Sequence, residues 1–198
     1  MTHQSTIFAR TPIEADDRAD VVAVLTSAFA ADPVIRWMYP SARAYLAAFP
    51  RFLEAFGGVA FAQGTVTLDP ERRTAAMWMA PGLAPDDAAI EACLLETVEE
   101  AKLEDLFPVF EGMAGAHPDF PHWYLPWFGV DAATQGMGHG SSLMELCLTH
   151  IESDGLPVYL ETPNPRNIAF YQRHGFRVTG SCRHGECPPV TFMLRDAN

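Results

Sequence analysis

Phe128–Ser142 reads FGVDAATQGMGHGSS, and this stretch decides the fold. An apolar, strand-like run, WYLPWFGV (Trp123–Val130), passes through a glycine loop into a segment with helical periodicity. Gly136, Gly138 and Gly140 alternate with Met137 and His139, and Ser141 and Ser142 follow. Such a loop turns successive backbone N–H groups toward the positive end of a helix dipole, an arrangement suited to phosphate. The pattern predicts a helix over Gly138–Ser153 and a strand over Val158–Glu161. Together with Trp123–Val130 they make a strand–helix–strand unit with parallel strands. A helix over Pro165–Arg173 and an antiparallel pair, Phe176–Thr179 with Val190–Leu194, are expected to complete this part of the chain.

Upstream, the signals are those of helices followed by a hairpin. Ile7–Arg10 reads as a short strand, and a helix starting within Pro12–Asp17 runs into VVAVLTSAFA (Val21–Ala30). Asp32-Pro33 stops that helix and opens a short one carrying Ile35, Trp37, Met38 and Tyr39, with Asp32 as its cap rather than a base. A helix over Ala42 to about Phe56 is expected to end at Gly57-Gly58. Gly64–Asp69 and Thr74–Ala80 read as antiparallel strands around the Pro70–Arg72 turn. Pro85 opens a helix to about Leu103, and Phe107–Met113 reads as a further short helical piece. The class is mixed α/β.

With 198 residues, 48% of them hydrophobic, the chain is long enough for one packed domain, and nothing resembling a linker divides it. The N-terminus lacks the basic and apolar blocks of a signal peptide, and no apolar run approaches the ~20 residues of a membrane span, so a cytoplasmic protein is expected. A net charge of −12 argues against nucleic acid or an anionic membrane as partner and is compatible with an amine-bearing one. Cys93 and Cys147 fall among apolar neighbours in predicted helices; Cys182, His184 and Cys187 lack the paired spacing of a metal site, so no metal is expected.

One other phosphate-binding pattern comes close. Gly136-x-Gly138-x-x-Ser141, with Glu161 downstream, nearly meets the dinucleotide fingerprint, but only 37 residues follow Glu161 and no earlier βαβ unit is visible. A P-loop is excluded because no Gly-Lys-Ser/Thr follows the glycines.

Gln135-Gly136-Met137-Gly138-His139-Gly140 matches the Gln/Arg-x-x-Gly-x-Gly/Ala signature of the GCN5-related N-acetyltransferases, the GNAT superfamily. Asn167, Ala169, Phe170, Tyr171, Gly175 and Phe176 are similar to that superfamily's following Asn…Ala…Tyr…Gly-Phe pattern. Ala28–Pro40 and the last 75 or so residues are also similar to the puromycin N-acetyltransferase branch. The chain therefore resembles a single GNAT domain over 1–198, with a twisted mixed sheet of six or seven strands and helices on both faces. Phe49–Pro121, where acceptor specificity normally resides, carries no such likeness.

The resemblance implies an enzyme that moves an acetyl group from acetyl-CoA to a primary amine of a small molecule by direct attack. It implies that the strand before the loop splays from its neighbour, with the backbones of Phe128, Gly129 and Val130 along the pantetheine arm. The pyrophosphate would rest on the amides of Gln135, Gly136, Met137, Gly138, His139, Gly140 and Ser141, with Asn167 beside the coenzyme. Met137 replaces a residue that is commonly basic in the family, and Arg166 and Arg173 are candidates to meet a phosphate. Tyr171 holds the family position of the acid that protonates the leaving thiolate. Glu161, ending an apolar strand, leads as base, with His122 and a water chain as the other choices. Trp37–Tyr39 would form a wall of the acceptor pocket, and the many aromatic residues suit an amine with a ring-bearing body. No cysteine is placed for a covalent route. A regulatory module that only binds coenzyme, and transfer to a protein or peptide amine, are the alternative functions, and a monomer or homodimer is expected.

Overall fold

The computed structural model describes residues 15–197, so the strand expected at Ile7–Arg10 lies outside the described residues. Six strands form one sheet in the order β1-β2-β3-β4-β6-β5. They are β1 (Val66–Leu68), β2 (Thr74–Met79), β3 (Trp123–Val130), β4 (Val158–Thr162), β5 (Arg177–Cys182) and β6 (Val190–Arg195). The helices are α1 (Ala15–Ala28), α2 (Pro33–Met38), α3 (Ala42–Gly57), α4 (Val59–Gln63), α5 (Asp87–Thr97), α6 (Glu100–Ala116), α7 (His139–Ile151) and α8 (Pro165–Arg173).

The sheet separates two cores. Strand β2, TAAMWM, is buried at every position, so it shows no alternation of polar and apolar residues. Ala75, Met77 and Met79 join the core built with α1–α6, whereas Ala76 and Trp78 join the one beneath α7 and α8. Helix α3 buries Tyr45, Ala48, Phe49, Phe52, Leu53 and Phe56, a stripe with helical spacing. Phe49, Phe52 and Phe56 meet Trp127 of β3 edge-on, with ring centroids 5.6, 5.9 and 5.7 Å apart.

All neighbouring strands are antiparallel except β3 and β4. That parallel pair is in register only at Trp123↔Val158 and Tyr124↔Tyr159. Beyond Tyr124, β3 stays paired with β2 as far as Val130, so the sheet opens on one side of β3 alone.

Several boundaries differ from the sequence reading. The expected Pro85–Leu103 helix is two helices: Val98 and Glu99 are extended, Val98 buries its side chain, and α6 absorbs the piece expected at Phe107–Met113. Helix α3 ends at Gly57-Gly58 as expected, but the short α4 follows at once. Gly58 keeps right-handed helical angles, and the chain turns only at Gly64, where φ is +65°. Gly57 also makes room for Trp127, whose Cδ1 would lie 2.6 Å from an added Cβ. Strand β5 extends past the expected Thr179 to Cys182, across a register shift between Val178 and Gly180. No described helix is long and apolar enough to cross a membrane.

Candidate functional site

The open side of β3 leads into a roomy cleft, walled by the α1–α2 corner (Ser27–Pro33), by β3 and its loop, and by the start of α8. Phe128, Gly129, Val130, Gln135, Gly136, Asn164, Arg166, Asn167, Phe170 and Tyr171 all face it. The loop is fixed from both ends. Gln135 Nε2 donates to the Val130 carbonyl at 3.1 Å, and the Ala132 N–H donates to Ser27 Oγ at 3.1 Å. Gly136 and Gly138 have φ of +79° and +92°, which side-chain-bearing residues rarely adopt, and Gly138 caps α7. Gly140 is buried against Val130, where an added Cβ would sit 3.0 Å from its Cγ2.

Gly129 also has a packing role. A Cβ there would come within 2.5 Å of the Ala28 Cβ and 3.1 Å of Leu25. This close approach is made by α1, and it seats the α1–α2 corner on the strand.

A second, much smaller cavity lies on the α3/α6 side of β3. Its walls are chiefly aromatic and aliphatic, among them Phe52, Phe56, Phe110, Met113, Tyr124 and Trp127, with Glu161 on the β4 side. Phe29, Asp32, Phe128, Asn167 and Tyr171 line both cavities, so the two meet at one junction.

Three polar side chains stand at that junction. Asp32 is 5% exposed and accepts a hydrogen bond from the Ile35 N–H at 3.1 Å, capping α2. Burial raises its carboxyl from 3.8 to about 6, against the lowering effect of the Ile35 and Val34 amides. Tyr171, on the buried face of α8, is 6% exposed; burial pushes its phenol well up, and the charge of Asp32 adds to this. Asn167 Nδ2 donates to Thr162 Oγ1 at 3.5 Å, tying α8 to the end of β4. Asn164 caps α8 by accepting from the Arg166 N–H at 3.1 Å, which places Arg166 at the cleft rim.

Glu161, with a side chain 6% exposed, faces the second cavity rather than the junction. Its Oε1 lies 3.8 Å from His117 Nδ1. The His117 ring also packs edge-on against Tyr124 and Tyr159, 4.8 Å from each centroid. Burial, and then the Glu161 charge, raise both of those phenols.

The remaining predicted positions divide clearly. Met137, Gly138, His139 and Ser141 follow Gly136 at the start of α7 without walling the cleft, and the Met137 side chain is in solvent. His122 and Arg173 line neither cavity. Of Trp37–Tyr39, Met38 alone reaches the second cavity; the Tyr39 hydroxyl pairs with Thr97 Oγ1 at 2.9 Å. Cys147 is buried in α7 with Sγ 3.7 Å from Thr67 Oγ1, and burial raises its thiol to about 11, which suits a core residue rather than a nucleophile. Sequence reasoning took Asp32 for a cap and missed that the same carboxylate stands at the junction. It also missed His117 altogether. Local grammar reveals a cap, whereas a cavity wall comes from strands and helices far apart in the chain.

Comparison with known proteins agrees with this geometry. The family model for the acetyltransferase (GNAT) family matches residues 88–176. An uncharacterized N-acetyltransferase of Schizosaccharomyces pombe is 25% identical over 203 residues, covering 93% of this chain and 81% of the relative. A solved structure from Corynebacterium glutamicum, described as histone acetyltransferase HPA2 and related acetyltransferase, superposes with a TM-score of 0.63 at 25% identity, covering 94% of each chain. Arylalkylamine N-acetyltransferase 2 of Aedes aegypti shares the fold at 11% identity, with a TM-score of 0.61 over 94% of this chain and 97% of that one. A sheet opened beside β3, a glycine loop at the head of α7, the family match over residues 88–176 and these relatives converge on the GNAT superfamily and on an acetyltransferase.

Proposed function

We propose that this enzyme transfers the acetyl group of acetyl-CoA to the primary amine of a small molecule with an apolar, ring-bearing body. One observation carries the reading: the roomy cleft and the aromatic cavity share Phe29, Asp32, Phe128, Asn167 and Tyr171 as a common wall. A thioester entering from one side and an amine from the other would meet beside a phenol and a carboxylate. The whole chain is taken as one such domain.

The cleft fits acetyl-CoA, the cosubstrate of the GNAT family. The open edge of β3 over Phe128–Val130 offers backbone partners to pantetheine, and the loop from Gln135 to Ser141 offers amides to pyrophosphate. Its left-handed glycines keep those amides free of side-chain bulk. Arg166 supplies a positive charge at the rim, where Met137 supplies none.

In this reading Asp32 holds the incoming ammonium at the junction, and its proton passes through water to Glu161 on the wall of the adjoining cavity. The neutral amine attacks the thioester carbon, the carbon–sulfur bond breaks, and Tyr171 gives its phenolic proton to the departing thiolate. The second proton lost by the nitrogen returns Tyr171 to the phenol. The buried phenol stays protonated at neutral pH, as an acid must.

The cavity favours a small molecule over a peptide because α3, α6 and β3 close around it with apolar side chains, which leaves polar backbone groups of a peptide without partners. Thiol release from acetyl-CoA, measured against aryl and alkyl amines, polyamines, aminoglycosides and short peptides, tests the reading. Turnover with ring-bearing amines is expected. Turnover with peptides alone would replace it, and bound acetyl-CoA with no turnover on any amine would favour a regulatory module.

A further inference from the structure

We infer that Asp105 is a positioning residue that clips the β5–β6 loop to α6 and thereby sets the size of acceptor that the second cavity admits. The inference rests on the amine-acetyltransferase reading above. Leu106 and Val109 of α6 and Val190 at the start of β6 line the second cavity and not the open cleft. Their separation shapes the space for the body of the acceptor without touching the side where the coenzyme would lie. Two fastenings outside the cavity hold that separation.

The first is the clip itself. Glu186, in the loop of residues 183–189, donates its N–H to Asp105 Oδ2 at 2.9 Å. Gly185, with φ of +48°, lies so close to the same carboxyl that an added Cβ would overlap its carbon and both oxygens. Glycine meets both demands, the left-handed angle and the missing side chain. The second fastening lies further along α6. An added Cβ at Gly112 would sit 3.0 Å from the Cys182 Cβ and 3.3 Å from its Sγ, and that thiol donates to the Val109 carbonyl at 3.6 Å. The loop is thus seated on one helix at its tip and at its entry from β5.

The clip stands where α6 is weakened. Pro108 lies inside the helix and has no N–H for the Glu104 carbonyl, so the turn that carries Asp105 and Leu106 lacks one of its hydrogen bonds. On the loop side, position is passed on stiffly. The Cys187 N–H donates to the His184 carbonyl at 3.1 Å, and the Cys187 side chain is fully buried in the core that also holds Leu106, Val109 and Val190. Pro188 and Pro189 then fix the backbone φ up to Val190. Asp105 lines neither cavity, yet it sets Leu106 and Val109 against Val190 across the second one. With the clip released, the two walls are free to part, and the gap takes a larger acceptor body.

The test measures thiol release from acetyl-CoA with two ring-bearing amines that the parent turns over and that differ in bulk, such as benzylamine and tryptamine. In Asp105→Ala the ratio of kcat/KM for the larger amine over the smaller is expected to rise by roughly tenfold, the lower end for one methylene in an apolar pocket. The change should fall on KM rather than kcat, with the acetyl-CoA Kd unaltered. Gly185→Ala forces the same contact apart from the loop side and should shift the ratio in the same direction, so the test survives if Asp105→Ala folds poorly. Asp105→Asn retains an oxygen for the Glu186 N–H and should keep the parent ratio. A merely structural role would lower the melting temperature and leave the ratio in place. A ratio within about twofold of the parent in either folded variant, or the same shift in Asp105→Asn as in Asp105→Ala, overturns the clip while the amine reading stands. A parent enzyme that acetylates no amine overturns both.

Discussion

The two cavities are built in contrasting ways. The open cleft is largely main chain: an open strand edge, two left-handed glycines and a helix start with no side-chain cap. The second cavity is almost wholly side chain, with rings from α3, α6 and β3 and carboxylates from the α1–α2 corner and β4. Backbone recognition suits a ligand that does not vary across a superfamily. Side-chain recognition suits one that does, because each wall residue can change without disturbing the sheet. If that division is real, damage on one side should leave binding on the other nearly intact.

The largest effect is expected from Gly138→Asp. At a φ of +92° an L-residue is strained by about 1–2 kcal/mol, and a carboxylate beside phosphate adds repulsion, so acetyl-CoA affinity should fall by roughly 10²–10³-fold. Titration calorimetry reads it, and a Kd within tenfold of the parent would remove the phosphate loop from the cleft. Tyr171→Phe sits on the shared wall and should lower kcat by about 10²-fold with both substrates still bound. A substantial loss of acetyl-CoA binding would instead make Tyr171 part of the coenzyme seat.

Asp32→Asn sharpens the comparison further, because activity and stability should move in opposite directions. The carboxyl titrates near 6 in the fold against 3.8 unfolded, so its ionisation opposes folding: the protonated form's advantage is complete below pH 3.8 and lost as pH rises through about 6. Asparagine keeps the cap without the buried charge, and should gain about 1–3 kcal/mol over the parent at pH 8 and little at pH 4. Meanwhile the amine KM should rise about tenfold at pH 7, the size of one lost ion pair, with the acetyl-CoA Kd unchanged. In the parent, KM should climb as pH falls below 6, where Asp32 becomes neutral. Urea unfolding at the two pH values decides the first half; a variant less stable at pH 8 would contradict it. The smallest effect is reserved for Arg166→Ala, whose exposed rim charge should weaken acetyl-CoA binding about two- to fivefold. No change at all would leave phosphate recognition to the backbone alone.

What could be read in advance follows the same division. The β3–loop–α7–β4–α8 unit was legible because its signals are short-ranged: a strand run, glycines at fixed offsets, Asn164-Pro165 at a helix start. The acceptor side was much less so. The break at Val98-Glu99 depends on which side chain reaches the core, and Gly57 and Gly129 answer to partners 70 and 101 residues away, Trp127 and Ala28. The His117–His122 pair forms where the end of α6 meets the entry to β3, and no local pattern marks it.

The parting of β3 from β4 after only two paired residues has a consequence for the endurance of the protein. A ligand that lines the open edge supplies main-chain partners the polypeptide does not provide for itself, and it does so only in the folded state. Every such ligand lowers the unfolded fraction by mass action, by about 2.7 kcal/mol at a hundred times its Kd. On the reading of the cleft as the seat of acetyl-CoA, the folded fraction of the chain rises and falls with the acetyl-CoA concentration around it.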